Sequence, residues 1–255
     1  MSIGLKFQES VRKPLIFITS VFHKTGFVKV YNQVINPVNR FLFFTSPYFK
    51  SLNPDFIIDV GANSGEFLEL MNSSHKDVPM LAFEPIRKEF LKIQQRFIES
   101  KHIIIENKGL GSKVEKVNLY VGEFSPSSSI LKPETENYTI EEISITQLDN
   151  YNSNFSNYHT ILCKIDVEGF EMEVLKGGEE ALKRIKYLYI EARTTEIVGC
   201  SFEEIYDFLI KKGWRYLGNY DTAFTSSGKI SHFDALFENK CLDKFTHGMT
   251  KLINY

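Results

Sequence analysis

Three groups of residues in this 255-residue chain have the types and spacing to do chemistry. Asp59, Gly61, Asn63 and Gly65 stand in "FIIDVGANSGEF", Glu84 in "LAFEP", and Lys164, Asp166 and Glu168 in "CKIDVEGFEMEVLKGG". In the first group an apolar run suited to a buried strand breaks at once into a tight turn that brings backbone N–H groups and a helix N-terminus up to a ligand. A dinucleotide loop needs a middle glycine so that the backbone can touch a pyrophosphate. Here Asn63 stands in that place, and the spacing is D-x-G-x-x-x-G.

The loop therefore suits a smaller ligand with an amino-acid end, and S-adenosylmethionine is such a molecule. Gly61 and Gly65 permit close backbone approach, Asn63 offers an amide to the methionine carboxylate or amine, and Asp59 holds the loop or reaches the amino group through water. Glu84 follows roughly twenty residues later at a strand end, where doubly wound folds place an acid for ribose hydroxyls. The third strand closes in "ENKGLG", which puts Glu106 or Asn107 at the adenine edge, unless that stretch is a plain turn.

Lys164, Asp166 and Glu168 alternate at the carboxyl end of a buried strand, where an open α/β sheet binds its ligands. Charges there are costly unless paired or working. Methyl transfer is an in-line displacement, and a hydroxyl acceptor must lose its proton as the new bond forms. Asp166 is expected to be the base or orienting group, with Glu168 as its partner and Lys164 keeping Asp166 ionised. The plainer alternative is a structural Lys164–Asp166 ion pair. A divalent cation held by the two acids is the lesser reading, because no third acid is obvious beside them.

These groups need strands to carry them. "DFIIDV", "VPMLAFEP" and "HIIIENKGL" read as strands, separated by the helices "SGEFLELMNSSH" and "IRKEFLKIQQRFIESK". After a stretch of period-two β-structure with a polar loop at Ser125–Ser129, and a further strand "EEISITQLDNY", the order resumes. It continues as strand "TILCKIDV", helix "EMEVLKGGEEALKRI", strand "YLYIEAR" and helix "FEEIYDFLIKKG", with β candidates "WRYLGNY" and "HFDALFEN" at the end. The repetition predicts an α/β fold, a parallel sheet with helices on both faces. Residues 1–50 read as an N-terminal helical extension and 51–255 as one domain. The serine loop is expected to cap the acceptor side.

A net charge of −2 leaves no basic footprint, so nucleic acid is not an expected partner. Three scattered cysteines, Cys163, Cys200 and Cys241, form no metal spacing and fit a reducing cytoplasm. No apolar stretch reaches the ~18 residues of a membrane span. "PLIFITSVF", flanked by Arg12, Lys13, His23, Lys24 and Lys29, is read first as packing onto the domain or a second subunit, as in a homodimer. The second reading is an interfacial helix giving peripheral membrane contact.

In order and spacing, "FIIDVGANSGEF", "LAFEP" and "KIDVEGFEMEVLKGG" resemble the FkbM family of S-adenosylmethionine-dependent methyltransferases. The resemblance runs from about Pro54 to Glu238 and takes in the "SSS" stretch, "QLDNY", "YIEAR" and "DALFEN". It implies a class I methyltransferase (Rossmann-like) fold with a seven-stranded sheet and, most often, O-methylation of a small-molecule or glycan acceptor. A nicotinamide-dependent oxidoreductase and a catalytically silent scaffold are the competing readings. Asn63 argues against the first, and Glu84 with the Asp166–Glu168 pair argues against the second.

Overall fold

The computed structural model describes residues 31, 36–122, 138–194 and 199–243. The apolar runs of strands β1 (Phe56–Val60) and β2 (Met80–Phe83) are buried at every position, as strands covered on both faces must be. Chain order is α1 (Asn36–Thr45), α2 (Pro47–Ser51), β1, α3 (Glu66–Ser74), β2, α4 (Arg87–Arg96) and β3 (Ile103–Glu106). Then follow β4 (Gly109–Leu110), β5 (Glu115–Gly122), β6 (Tyr138–Thr146), the short α5 (Asn152–Phe155), β7 (Ile161–Ile165), α6 (Glu171–Lys176) and β8 (Ile185–Arg193). Last come α7 (Phe202–Lys211), β9 (Trp214–Phe224) and β10 (Ile230–Asn239).

The main sheet runs β3-β2-β1-β7-β8-β10-β9, and only β10 opposes its neighbours. This is the mixed α/β, class I methyltransferase-like arrangement. Strand order reverses between β1 and β7, and at such a switch point the carboxyl ends leave a crevice for ligands. The β insert before the fourth core strand is a separate sheet, β4-β6-β5. The serine loop at 125–129 lies outside the described residues.

Two local expectations need correction. "HIIIENKGL" is not one strand, because residues 103–106 pair with β2 while 109–110 pair with β6 in the second sheet. The chain changes sheets beside Glu106. Nor does the helix after β7 continue to residue 185. It stops at Lys176, because Gly177 lies against the backbone of Gly111, where an added Cβ would fall 1.8 Å from the carbonyl oxygen.

Helices α1 and α2 pack on one sheet face, and Phe44 and Phe49 enter the same core cluster as Ile57, Leu162, Tyr189 and Leu236. The described end of the N-terminal extension is thus built into the core. Residues before it other than Tyr31, including "PLIFITSVF", lie outside the described residues.

Candidate active site

At the end of β1 the chain needs a left-handed turn, and Gly61, Asn63 and Gly65 all take positive φ, at 84°, 47° and 81°. Gly61 is fixed by a close approach as well. A Cβ there would fall 1.9 Å from the carbonyl oxygen of Asp166, so the loops after β1 and β7 touch backbone to backbone. Gly65 is less confined; its Cβ would meet Ile93 at 3.3 Å, at the start of α3.

Glu84 is 3% exposed. One carboxylate oxygen accepts from the Asn63 N–H at 2.7 Å and the other from the Ile86 N–H at 2.8 Å. Burial outweighs these two bonds and pushes its carboxyl up to about 7. Each oxygen keeps a further lone pair, so the geometry ties the acid to the loop and still leaves acceptor capacity for hydroxyls. Asn107 spends its side-chain amide on the carbonyls of Glu84 and Pro85, at 2.9 and 3.0 Å. Glu106 instead accepts from Tyr151 at 3.1 Å and pairs with Lys108 at 3.2 Å.

Asp59 lies inside β1 rather than in the loop. It sits directly across from Lys164 in the β1–β7 register, fully buried, and neither carboxylate oxygen has a hydrogen-bond partner. Lys164 Nζ stands 3.6 Å from it, too far for a hydrogen bond, and 3.2 Å from Asp166. Burial pushes the Asp59 carboxyl up, partly offset by Lys164. An orphaned buried acceptor beside a lysine, a positive-φ loop opening a helix, and an acid at the next strand end together fit the zwitterionic end and ribose of S-adenosylmethionine.

On the other side of the crevice, Asp166 lies one residue past the end of β7. Burial would raise its carboxyl, but Lys164, helped by Arg40 and His232, holds it below the ordinary value. Glu168 does not continue the strand alternation. Its φ is 54°, a strained value for a non-glycine, and Gly169 follows at 100°. Glu171 secures this turn, accepting from the Val167 and Gly169 N–H groups at 3.1 Å each. The Glu168 side chain meets Arg193, which also reaches Glu191 at 3.3 Å. Burial and the charge of Asp166 push the Glu168 carboxyl up to about 7.

Sequence reasoning did not single out Glu171, Glu191, Arg193, His232 or Asp234. In the β8–β10 register Glu191 faces Asp234 and Arg193 faces His232, and Arg40 of α1 pairs with Asp221 of β9. For the last four the signal was charge inside strands otherwise buried, in "YIEAR" and "HFDALFEN". Among the described residues no three His, Cys, Asp or Glu side chains converge as a metal site.

Comparison with known proteins agrees with the fold. The methyltransferase FkbM from Methylobacillus flagellatus KT is 17% identical with a TM-score of 0.50, over 72% of this chain and 44% of that one. The chain therefore spans less than half the length of that protein. An uncharacterized protein from Listeria monocytogenes serotype 4b is 11% identical, with a TM-score of 0.45 over 76% and 68% of the two chains. TrmK of M. capricolum, solved with the cofactor product S-adenosyl-homocysteine, is 9% identical, with a TM-score of 0.43 over 77% and 70%. No curated protein matches. The profile of the methyltransferase FkbM domain matches residues 59–217, well over half of the sequence and all three groups of site residues. The chain belongs to the FkbM methyltransferase-domain family.

Proposed function

We propose that the protein methylates a hydroxyl of a small-molecule or glycan acceptor lying over the carboxyl ends of β7 and β8, with Glu168 as the proton acceptor. The observation that carries this reading is the contrast between two neighbouring carboxylates. Both are ion-paired, Asp166 with Lys164 and Glu168 with Arg193, but Lys164 holds the Asp166 carboxyl below its ordinary value, whereas Glu168 stands on a strained turn where burial and Asp166 raise its carboxyl to about 7. A general base works best when its pKa lies near the operating pH. That favours Glu168 over Asp166, which is better suited to orienting the acceptor.

The bound cofactor supplies a methyl group on a positively charged sulfur. Asp59 and Lys164 would hold its amino-acid end and Glu84 its ribose. As the acceptor oxygen bonds to the methyl carbon and the sulfur leaves as a neutral thioether, the acceptor's proton would pass to Glu168, which Arg193 would keep in place. The touching loops after β1 and β7 set the cofactor and acceptor sides in register, which is the alignment that in-line transfer requires.

The test is transfer of a deuterium-labelled methyl group to acceptors in cell extracts, followed by kinetics on the acceptor found. Glu168→Gln should lower kcat by ~10²–10⁴-fold, with cofactor affinity nearly unchanged. Asp166→Asn should act more on the KM for acceptor. If Asp166→Asn abolishes turnover and Glu168→Gln does not, the two roles are reversed.

A further inference from the structure

Helix α1 is apolar on two opposite sides, and the described residues cover only one of them. Phe43 and Phe44 face the core, with Phe43 stacked on Tyr220 at 3.8 Å between ring centroids. On the other side Val38, Phe41 and Leu42 follow one another at helical spacing and are 53%, 55% and 57% exposed. Tyr48 on α2 is also exposed. A helix with two apolar sides normally has apolar matter against both.

The charge of the surrounding sequence indicates what that matter is. No Asp or Glu occurs between Glu9 and Asp55. The residues before Asp55 hold seven Lys and Arg against one acid, a net +6, while the rest of the chain, with 23 against 31, carries −8. A basic segment free of acids and rich in phenylalanine, ending in a helix with a bare apolar face, has the composition of an interfacial element. Each Lys or Arg near an anionic leaflet adds attraction, and the apolar side chains enter the headgroup boundary. Nucleic acid would use the charge but leave Val38, Phe41 and Leu42 in water. A second copy of the chain would bury the apolar face but bring two +6 segments together. No helix among the described residues is long and apolar enough to cross a membrane.

We infer that the protein docks on an anionic phospholipid surface through the outer face of α1. The inner side of the same helix holds Arg40 against Asp221, in the charged group around Asp166. Docking therefore places the membrane and the acceptor side of the site on the two sides of one helix. Acceptors carried on a lipid would be within reach of such an enzyme, a corollary that rests on the proposed function.

Co-sedimentation of the full chain with vesicles tests the docking without any use of catalysis. Vesicles of equimolar phosphatidylglycerol and phosphatidylcholine should retain the protein, and pure phosphatidylcholine should retain about ten-fold less. The double substitution Phe41→Ser with Leu42→Ser should lower binding by a further factor of about ten at an unchanged melting temperature. Failure to bind the anionic vesicles overturns the inference, as does equal binding by the double variant. Dimerisation of the wild type that the variant loses, without vesicle binding, would assign the face to a second copy. Retention of an oligonucleotide in place of vesicles would assign the charge to nucleic acid. Methyl transfer to soluble acceptors is measured separately, so its failure would leave the vesicle result standing.

Discussion

The two sides of the crevice are built by different means. On the cofactor side, the Gly61–Gly65 loop and Glu84 are joined by backbone hydrogen bonds within a 24-residue stretch, Asn63 N–H to Glu84 being the key link. On the proposed acceptor side, Lys164, Asp166, Glu168, Glu191, Arg193, His232 and, through Asp221, Arg40 come from five segments and are joined by side-chain charges. Backbone geometry fixes a loop to within a residue and demands particular residue types. Charge pairing tolerates other arrangements with the same sum. A side that must bind one invariant cofactor suits the first kind of construction, and a side that must be adapted to an acceptor suits the second.

Gly61 is where the two sides meet, and substitution there should have the largest effect. Gly61→Ala puts a Cβ 1.9 Å from the Asp166 carbonyl oxygen at a φ of 84°. The left-handed backbone alone costs about 1–2 kcal/mol, and the overlap adds roughly 1–3 kcal/mol more. Melting temperature should fall by about 5–15 °C, and both cofactor binding and turnover should suffer. Gly65→Ala has nearly the same φ but a first contact at 3.3 Å with the Ile93 side chain rather than with backbone, so it should cost little more than the backbone increment. Equal losses in the two variants, read by thermal melts, would mean that the loops after β1 and β7 do not need to touch.

The same difference explains what could be read from the sequence. "FIIDVGANSGEF" shows its turn because glycine at positive φ is a backbone necessity, and Glu84 is located by its distance along the chain. Asp166 and Glu168 were visible because a charge in an apolar strand is costly. The work of Glu171, accepting two N–H groups so that Glu168 can hold a φ of 54°, depends on a turn that no spacing reveals. Arg193 and His232 face each other only through the antiparallel register of β8 and β10. That pairing joins segments 39 residues apart, and a one-residue slip would turn every side chain to the other face. The sheet itself was legible in its buried runs, whereas the end of the helix at Gly177 depended on a contact with Gly111 from a distant segment.

On the cofactor side Glu84→Gln should have the next largest effect. The amide keeps an oxygen for one of the two N–H groups but turns an NH₂ toward the other, and it removes the charge offered to ribose. Loss of one charge-assisted hydrogen bond is worth about 1.5–3 kcal/mol, so affinity for S-adenosylmethionine should fall by roughly 10- to 150-fold. Turnover at saturating cofactor should change much less, because the acceptor side is untouched. Calorimetry would decide the matter. A loss of kcat with affinity intact would mean that the two sides are coupled through the loop rather than separately built.

The smallest expected effect is a pH dependence of stability to which both sides contribute unequally. Glu84 on the cofactor side, and Glu168 and Asp234 on the acceptor side, all have carboxyls raised to about 7, chiefly by burial. Asp166 adds repulsion to the latter two. In the folded protein these groups hold protons that the unfolded chain releases near the ordinary values of 4.5 and 3.8. Their contribution to stability is therefore greatest at low pH and is lost as pH rises toward and through 7. His75 and His232, lowered from 6.5 by burial, act in the opposite direction, but only up to that pH. Melting temperature should accordingly fall by several degrees from pH 6.5 to 8, while affinity for S-adenosylmethionine rises over the same range as Glu84 ionises. Asp234→Asn should flatten the melting profile, and should do so more than Glu84→Gln, because Asp234 is pressed by Asp166 and Asp221 as well as by burial. A melting temperature that rises steadily to pH 8 would show that the acceptor-side carboxylates are stabilised by Lys164, Arg193 and Arg40 more than burial penalises them.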